Sequence, residues 1–486
     1  MKYFHFLVLV SYLFTLGCTE AHIDSATLSA PSVDPILVNS DETSVTDTTF
    51  TDTSLKQTST FSIDVDTASY TIMRDHINRG VLPDKSVIRL EEYINYFNYS
   101  YKSTNEEHPF TVFSSLSDAP WASNHKLLKI ALKAAEIQTE ERSASNLIFL
   151  IDTSGSMNSE KKLPLLKQSL NMLVDQMTSN DSIGIVTYAG NSKVSLLPTH
   201  GDEKEKIKNA INLLSAAGST NGEAGLATAY DYASFNYIND GINRVILATD
   251  GNFNVGQTDN EALVELIKTK AENNIYLTTL GFGLNYNDSL MENLADKGNG
   301  NYAYIDNLDE SQKVLVSEIN GTLITVANDV KLQLTFNNDI VKKYRLLGYE
   351  NRRLKDEDFN DDTKDAGDMG AGHNVIALYE IELQDSVIAN DDSTIANMEI
   401  RYKIPNESDS ILFEFLVSNT ETTDSDYNFA AAVAEYALIL SNSPEIGSAN
   451  LNQVIELAES NTGADLLGYR AEFISLVKKA HNILLE

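Results

Sequence analysis

The central third of the chain alternates between short apolar runs and segments whose apolar residues recur at helical spacing. The pattern predicts strands at 146–151, 182–188, 244–249, 275–281 and 301–305, with a short edge strand at 193–197. Helices are predicted near 161–178, 203–214, 222–237, 259–272 and 287–297. Such alternation implies right-handed crossovers, so we predict an α/β domain over 145–328: a doubly wound, mostly parallel sheet with helices on both faces.

The segments on either side have a different pattern. Residues 61–66 alternate as a strand does, two helices follow at 67–79 and 87–97, and strands are predicted at 109–115 and 126–133. These elements predict a small N-terminal α+β module over 59–140. A helix near 310–327 leads into predicted strands at 330–336, 344–349, 375–383, 397–402 and 410–417 and helices near 427–441, 450–459 and 466–484. The C-terminal module, 329–486, is therefore predicted to be β-rich and helical.

The first residues are typical of a secretory signal peptide, which we assign to 1–17. Lys2 precedes an apolar stretch from Tyr3 to Leu16, which is too short to span a membrane. Gly17 and the only cysteine, Cys18, then resemble a bacterial lipoprotein signal, although Thr15 stands where that pattern usually has leucine. The resemblance implies that Cys18 is lipidated, and a free thiol is the alternative. Residues 18–58 are rich in Ser, Thr and Asp and predict a flexible tether.

The charge balance narrows the range of partners. Among 486 residues, 36 are Lys or Arg and 70 are Asp or Glu, which gives a net charge of −34. This excess of negative charge disfavours nucleic acids and anionic lipid surfaces as partners. A single cysteine also excludes an internal disulfide and a multi-cysteine metal site. We expect a lipid-anchored protein of the bacterial cell envelope, at the outer membrane more than the inner because Thr19, and not aspartate, follows Cys18.

Three polar segments of the predicted α/β domain could come together in space. The sequence Asp152-Thr153-Ser154-Gly155-Ser156 directly follows an apolar strand, Thr220 lies in the segment 218–222, and Asp250 follows a second apolar strand. Polar residues after parallel strands gather at the carboxyl edge of the sheet. Five oxygens with only two carboxylates suit a hard divalent cation and leave one position of an octahedral shell open. Taken alone, the first segment is also typical of a helix N-cap.

Together these segments resemble the metal-ion-dependent adhesion site of a von Willebrand factor type A (VWA) domain. The resemblance implies that Ser154, Ser156 and Thr220 bind Mg²⁺ or Mn²⁺ directly, while Asp152 and Asp250 often act through water. It also implies a protein ligand whose acidic side chain completes the metal shell. Further stretches resemble a bacterial envelope family with an N-terminal module, a central VWA domain and a C-terminal module of undefined role; they are 60–70, 91–97 and 468–473.

Two weaker patterns leave other functions open. Asp64 and Asp66 are similar to the D-x-D of haloacid-dehalogenase-type phosphatases, but Ala68 stands where threonine is needed, which favours a helix-capping or hydrogen-bonding role. The acidic run 356–361 fails the EF-hand pattern, which needs glycine at the position of Asp361. We expect that the protein is not an enzyme and that it binds other proteins in a metal-dependent way, in adhesion or complex scaffolding. The alternatives are a metal-dependent phosphohydrolase using Asp64 and Asp66, and a structural module with a vestigial site.

Overall fold

A computed structural model describes residues 49–485, apart from 105–106, 138–141, 220–221, 252–259, 284–286, 365, 388–391 and 406. The described strands are β1 (Thr51–Asp52), β2 (Thr58–Ser62), β3 (Phe110–Ala119), β4 (Ala122–Ala134), β5 (Ser145–Asp152), β6 (Ser182–Tyr188), β7 (Ser192–His200), β8 (Ile242–Thr249), β9 (Tyr276–Phe282), β10 (Tyr302–Ile305), β11 (Thr325–Phe336), β12 (Val341–Leu347), β13 (Gly367–Gly370), β14 (Asn374–Leu383), β15 (Thr394–Lys403) and β16 (Ser410–Ser418). The described α-helices are α1 (Ala68–Asn78), α2 (Leu90–Asn95), α3 (Leu163–Gln176), α4 (Lys204–Asn212), α5 (Glu223–Phe235), α6 (Asn260–Ala271), α7 (Asp288–Lys297), α8 (Leu308–Gln312), α9 (Ile319–Leu323), α10 (Ser425–Leu440), α11 (Leu451–Ser460) and α12 (Tyr469–Leu485). Within these described ranges, every helix is too short or too polar to cross a membrane.

The central sheet has the order β10-β9-β8-β5-β6-β7. Its strands pair in parallel except β7, which runs antiparallel to β6 at the edge. Alternate residues of β5 enter different cores: Ile148 and Leu150 pack on one face of the sheet, and Leu147, Phe149 and Ile151 on the other. Both faces are therefore covered, which confirms the predicted doubly wound domain and explains why its middle strands are apolar throughout.

The flanking segments form two antiparallel sheets, and each sheet contains strands from both segments. One sheet has the order β1-β12-β14-β4-β3, so strands from before and after the central domain lie side by side. The other has the order β13-β11-β15-β16, and β2 also pairs with β11. Their facing side chains make one apolar core, to which Phe61, Phe110 and Leu128 contribute from the N-terminal side and Leu332, Tyr379 and Met398 from the C-terminal side. We call these two sheets and their shared core the framework.

The structure corrects two predicted boundaries and one predicted helix. The tether was predicted to extend to residue 58, yet Thr51 and Asp52 already pair with Tyr344 and Lys343. The predicted end of the central domain at residue 328 falls inside β11. The helix predicted at 310–327 is instead divided into α8, a π-helical turn at Lys313–Ser317 and α9. β-branched residues at the start of β11 favour the extended chain that its partner strands require.

One buried arginine connects three parts of the chain. Arg74, on α1, is 1% exposed and donates to Asp306 Oδ2 at 2.9 Å, Asp306 Oδ1 at 2.5 Å and Glu310 Oε2 at 2.8 Å. Its Nη1 donates to the Tyr96 hydroxyl at 2.7 Å and to Glu472 Oε2 at 3.2 Å. Asp306 follows the last strand of the central sheet, and Glu472 lies on the C-terminal helix α12. The guanidinium thus holds the N-terminal helix to the central domain and to the C-terminal end.

We predict that Arg74→Met lowers the free energy of unfolding by about 3–5 kcal/mol, because two buried carboxylates lose their counter-charge. Urea denaturation measures the change. Arg79→Met is the control, since Arg79 is 41% exposed and lies 3.5 Å from Asp75, so its loss is worth about 1 kcal/mol or less. Similar losses in the two variants would contradict a central role for Arg74.

A buried lysine in β4 makes the stability depend on pH. The Lys129 side chain is 1% exposed, and its ammonium lies 5.4 and 5.2 Å from the ring centroids of Tyr101 and Tyr427. The ion pair with Asp424 is long, at 3.8 Å, and Lys129 Nζ has no hydrogen bond to any residue that the structure describes. Burial lowers the pKa of Lys129 from 10.5 to about 8, and the attraction of Asp424 and Asp426 offsets this only in part.

We predict that the wild type gains stability, relative to Lys129→Met, as the pH rises from 8 to 10.5. Over this window the folded lysine loses its proton while the unfolded lysine keeps it, so the unfolded state binds more protons. Below pH 8 both states are protonated, and the cost of burying the charge is present in full. Urea denaturation of both proteins at pH 7.5 and pH 10 measures the difference. Parallel pH dependences would contradict the assignment to Lys129.

Candidate metal centre

The two site aspartates lie at the carboxyl ends of neighbouring parallel strands. Asp152 is the last residue of β5, and Asp250 directly follows β8, which pairs with β5. Both carboxylates are fully buried. The structure therefore places Asp152 and Asp250 at one edge of the central sheet, where open α/β folds bind ligands.

The loop after β5 is fixed by backbone hydrogen bonds to two other segments. Thr153 N donates to Tyr188 O at 2.9 Å, and Gly155 N donates to Gly218 O at 3.0 Å. Ala217 N in turn donates to Thr153 O at 2.7 Å. These bonds bring the segment before Thr220 against the serine loop, as the sequence pattern requires. Thr220 itself lies outside the described residues.

Asp152 is held by three donors. Its Oδ1 accepts from Ser154 N at 2.8 Å, and its Oδ2 accepts from the Tyr188 hydroxyl at 3.2 Å and Thr249 Oγ1 at 3.1 Å. Burial raises the pKa of Asp152, the Ser154 hydrogen bonds oppose that rise, and the nearby charge of Asp250 adds to it. The charge of Asp250 thus disfavours the ionised form of Asp152, a repulsion that a cation between the two carboxylates would relieve.

Two hydroxyls complete the described donor set. Ser154 Oγ and Ser156 Oγ lie 2.9 Å apart, with Ser154 buried and Ser156 exposed to solvent. Carboxylate and hydroxyl oxygens without nitrogen or sulfur suit a hard divalent cation, so the residues present fit Mg²⁺ or Mn²⁺. Within the described residues, His, Cys, Asp and Glu nowhere form a group of three placed to hold a metal. The candidate site would rely on hydroxyls beside two carboxylates, and the assignment of these ligands stays a prediction.

A lysine at this edge was not anticipated from the sequence. Lys162 Nζ lies 2.8 Å from Asp250 Oδ2, and the lysine side chain is only 16% exposed. Its neighbour Lys161 is 53% exposed and pairs instead with Asp75 at 2.7 Å. The signal in the sequence was a Lys-Lys pair five and six residues after Ser156, which is typical of ordinary surface charge before a helix.

Comparison with known proteins identifies the architecture. A family model described as the von Willebrand factor type A domain matches residues 146–318, one described as von Willebrand factor matches 39–129, and one described as the C-terminal part of uncharacterized protein YfbK matches 321–483. The uncharacterized protein YfbK of Escherichia coli (strain K12) is 43% identical over 448 residues, covering 87% of this chain and 78% of that protein. The chain belongs to the YfbK family. This confirms the predicted family with its N-terminal module, central VWA domain and C-terminal module.

Other similarities have lower sequence identity. The uncharacterized protein sll0103 of Synechocystis sp. is 27% identical over 194 residues, or 40% of this chain and 45% of that protein. A solved structure, the von Willebrand factor type A protein from Catenulispora acidiphila, matches with a TM-score of 0.43 and 16% identity, covering 76% of this chain and 91% of that one. VWA domains generally mediate protein binding and often hold a metal at the adhesion site.

The aspartates of the two weaker sequence patterns, Asp64 and Asp66 and the run 356–361, form ion pairs and hydrogen bonds within the structure. Arg352 Nη1 lies 2.7 Å from both Asp64 and Asp296, and its Nη2 lies 3.4 Å from Asp66. Asp66 Oδ1 also accepts from Tyr302 N at 2.9 Å. In the acidic run, Asp356 accepts hydrogen bonds from Thr58 and Thr60 of β2. Cys18 lies outside the described residues.

We predict that Thr249→Val lowers the free energy of unfolding by about 1–3 kcal/mol, because Asp152 loses a buried donor and Gly251 N loses its acceptor, Thr249 Oγ1, at 3.2 Å. Chemical denaturation measures the loss. Thr269→Val on α6 is the matched control, since the exposed Thr269 hydroxyl bonds only to its own helix, and a change within about 0.5 kcal/mol is expected. Equal effects would mean that Thr249 does not order the site.

Proposed function

We propose that the chain binds Mg²⁺ or Mn²⁺ through Asp152, Ser154, Ser156, Thr220 and Asp250 and uses the ion for metal-dependent protein binding, in adhesion or complex scaffolding. The observation that carries the proposal is that the buried carboxylates of Asp152 and Asp250 lie at the same edge of the central sheet as the hydroxyl pair of Ser154 and Ser156. Because Ser156 is exposed, a ligand group can approach the ion from solvent on that side.

The charge of the site favours an acidic partner. Two carboxylates neutralise a divalent cation, and the adjacent Lys162 ammonium makes the loaded site positive. With so few charged protein ligands, the shell keeps room for an oxygen from outside. A carboxylate from a partner protein supplies that oxygen and balances the charge. A nucleic acid is disfavoured because the chain as a whole carries a charge of −34.

The proposed location is the bacterial cell envelope. Lipidation of Cys18 after removal of residues 1–17 would anchor the chain, and Thr19 favours the outer membrane over the inner. A stable anchor suits a binding or scaffolding protein because its partner is met at a fixed surface. Mass spectrometry of the protein recovered from membranes would test the lipid on Cys18.

The geometry around Asp64 supports a binding protein over a phosphohydrolase. A nucleophilic aspartate must be ionised and accessible to phosphate. Burial raises the pKa of Asp64, an effect that the adjacent Arg352 opposes only in part. Arg352 also ties this carboxylate to Asp296 on α7. We therefore propose no enzymatic role for Asp64 and Asp66.

Calorimetric titration of the full chain with Mg²⁺ and Mn²⁺ tests the proposal. We expect saturable binding that Asp152→Ala weakens at least about tenfold, because an oriented site carboxylate is lost. Asp231→Ala is the control, since it removes one exposed carboxylate from α5 outside the site. Absence of binding by the wild type would contradict the proposal.

A second step tests the partner. Envelope proteins captured in Mg²⁺ and released by EDTA should be missing when Asp152→Ala is the bait. Capture that is unaffected by EDTA and by the substitution would show that partners bind elsewhere, and would favour the alternative of a structural module.

A further inference from the structure

Lys162 is built into the candidate metal centre. It directly precedes α3 and lies on the loop that begins with the site serines. Its ammonium is 2.8 Å from Asp250 Oδ2, and the two side chains are 16% and 0% exposed. The contact is therefore a largely desolvated ion pair, which is much stronger than a surface pair.

A glycine at the end of a neighbouring strand makes room for the lysine stem. Gly283 follows β9 and has φ +82°. A Cβ placed on Gly283 would lie 2.4 Å from Lys162 Cε and 3.2–3.3 Å from its Cγ and Cδ. The aliphatic part of Lys162 thus lies directly against backbone, which directs its ammonium toward Asp250. This packing distinguishes Lys162 from a mobile surface lysine.

We propose that Lys162 is a tethered cation that competes with the divalent metal for Asp250 and thereby sets the metal affinity of the site. The inference rests on the proposed function, because it concerns the same carboxylate. With the lysine paired to Asp250, the two site carboxylates present a net charge of −1 to an incoming ion instead of −2. Both the weaker attraction and the need to displace or share the lysine reduce affinity.

The competition also adjusts the site for its partner. A lower affinity for the metal alone makes the acidic side chain of a partner contribute more to the stability of the ternary complex. The positive charge of Lys162 stays near the ion after displacement because the stem is held by its packing and the backbone. A partner carboxylate is therefore attracted by the ion and the lysine together.

The first test compares Mg²⁺ affinities of full-length variants by calorimetry. Lys162→Gln is expected to bind Mg²⁺ at least about tenfold more tightly than the wild type. Lys161→Gln removes the same charge from the adjacent residue, whose partner is Asp75 on α1, and a change within about twofold is expected. Lys162→Arg keeps the charge and should stay within about threefold of the wild type.

The second test uses the wild type, so it does not depend on the folding of a variant. Acetic anhydride is applied at limiting concentration with and without saturating Mg²⁺, and acetylation of each lysine is followed by mass spectrometry. Displacement from Asp250 should raise the acetylation rate at Lys162 several-fold relative to Lys161, because the amine is then no longer shielded by the contact with Asp250. Unchanged reactivity of Lys162 while Mg²⁺ binds would overturn the inference.

The outcomes separate the two proposals. Equal or weaker Mg²⁺ binding by Lys162→Gln, with the wild type still binding, overturns the role of Lys162 and leaves the metal site intact. If neither protein binds Mg²⁺, and Mg²⁺ changes the Tm of neither, the proposed function itself fails. If Lys162→Gln binds Mg²⁺ more tightly than the wild type and Lys161→Gln does not, both the metal site and the role of Lys162 are supported.

Discussion

The arrangement of the chain depends on the buried guanidinium of Arg74. Burying an arginine is costly unless its donors are satisfied and its charge is balanced. Here Asp306, Glu310, Tyr96 and Glu472 meet both conditions, and they come from three separate parts of the sequence. Asp306 and Glu310 balance the charge once α1 packs on the end of the central domain, and Glu472 joins the C-terminal helix to the same network. The network thus ties the central VWA domain to both flanking segments, whose strands pair with each other in the framework.

The same helix reaches the candidate metal centre. Arg74 and Asp75 are adjacent on α1; Arg74 is held by the central domain, and Asp75 pairs with Lys161. The next residue, Lys162, pairs with Asp250 at the strand edge. The loop that carries the site serines is thus fixed at its start by β5. Near its end it is fixed by two ion pairs, one with Asp75 on α1 and one with Asp250 after β8. Of these two pairs, the one between Lys162 and Asp250 ends at a site carboxylate, while the one between Lys161 and Asp75 lies outside the proposed donor set.

Local patterns in the sequence predict the central domain well and the framework poorly. Strands such as β5 are apolar runs covered on both faces, so each can be recognised from its own residues. Their parallel pairing then follows from the right-handed crossover that connects one strand to the next. Strand pairing in the framework joins Thr51 to Tyr344, a contact that no local pattern records. The short β13 was missed because its residues, Gly-Asp-Met-Gly, lack apolar alternation and pair through the backbone. At the site, Asp152, Ser154, Ser156 and Asp250 follow from the strand-end rule, while the role of Lys162 depends on a slot that Gly283 leaves open.

The acidity of the whole chain gives a physical reason for the proposed metal dependence of partner binding. A protein with 70 acidic and 36 basic residues repels an acidic partner at long range. At physiological ionic strength this repulsion is screened beyond about 8 Å, so the charge within that distance of the contact decides whether the partner binds. Without a bound cation, Asp152, Asp250 and Lys162 together carry a net charge of −1, and an approaching carboxylate is repelled. With a divalent cation the same groups carry +1, and the carboxylate is attracted. On this account the ion reverses the sign of the local charge, so a partner recognised through a carboxylate would require the metal.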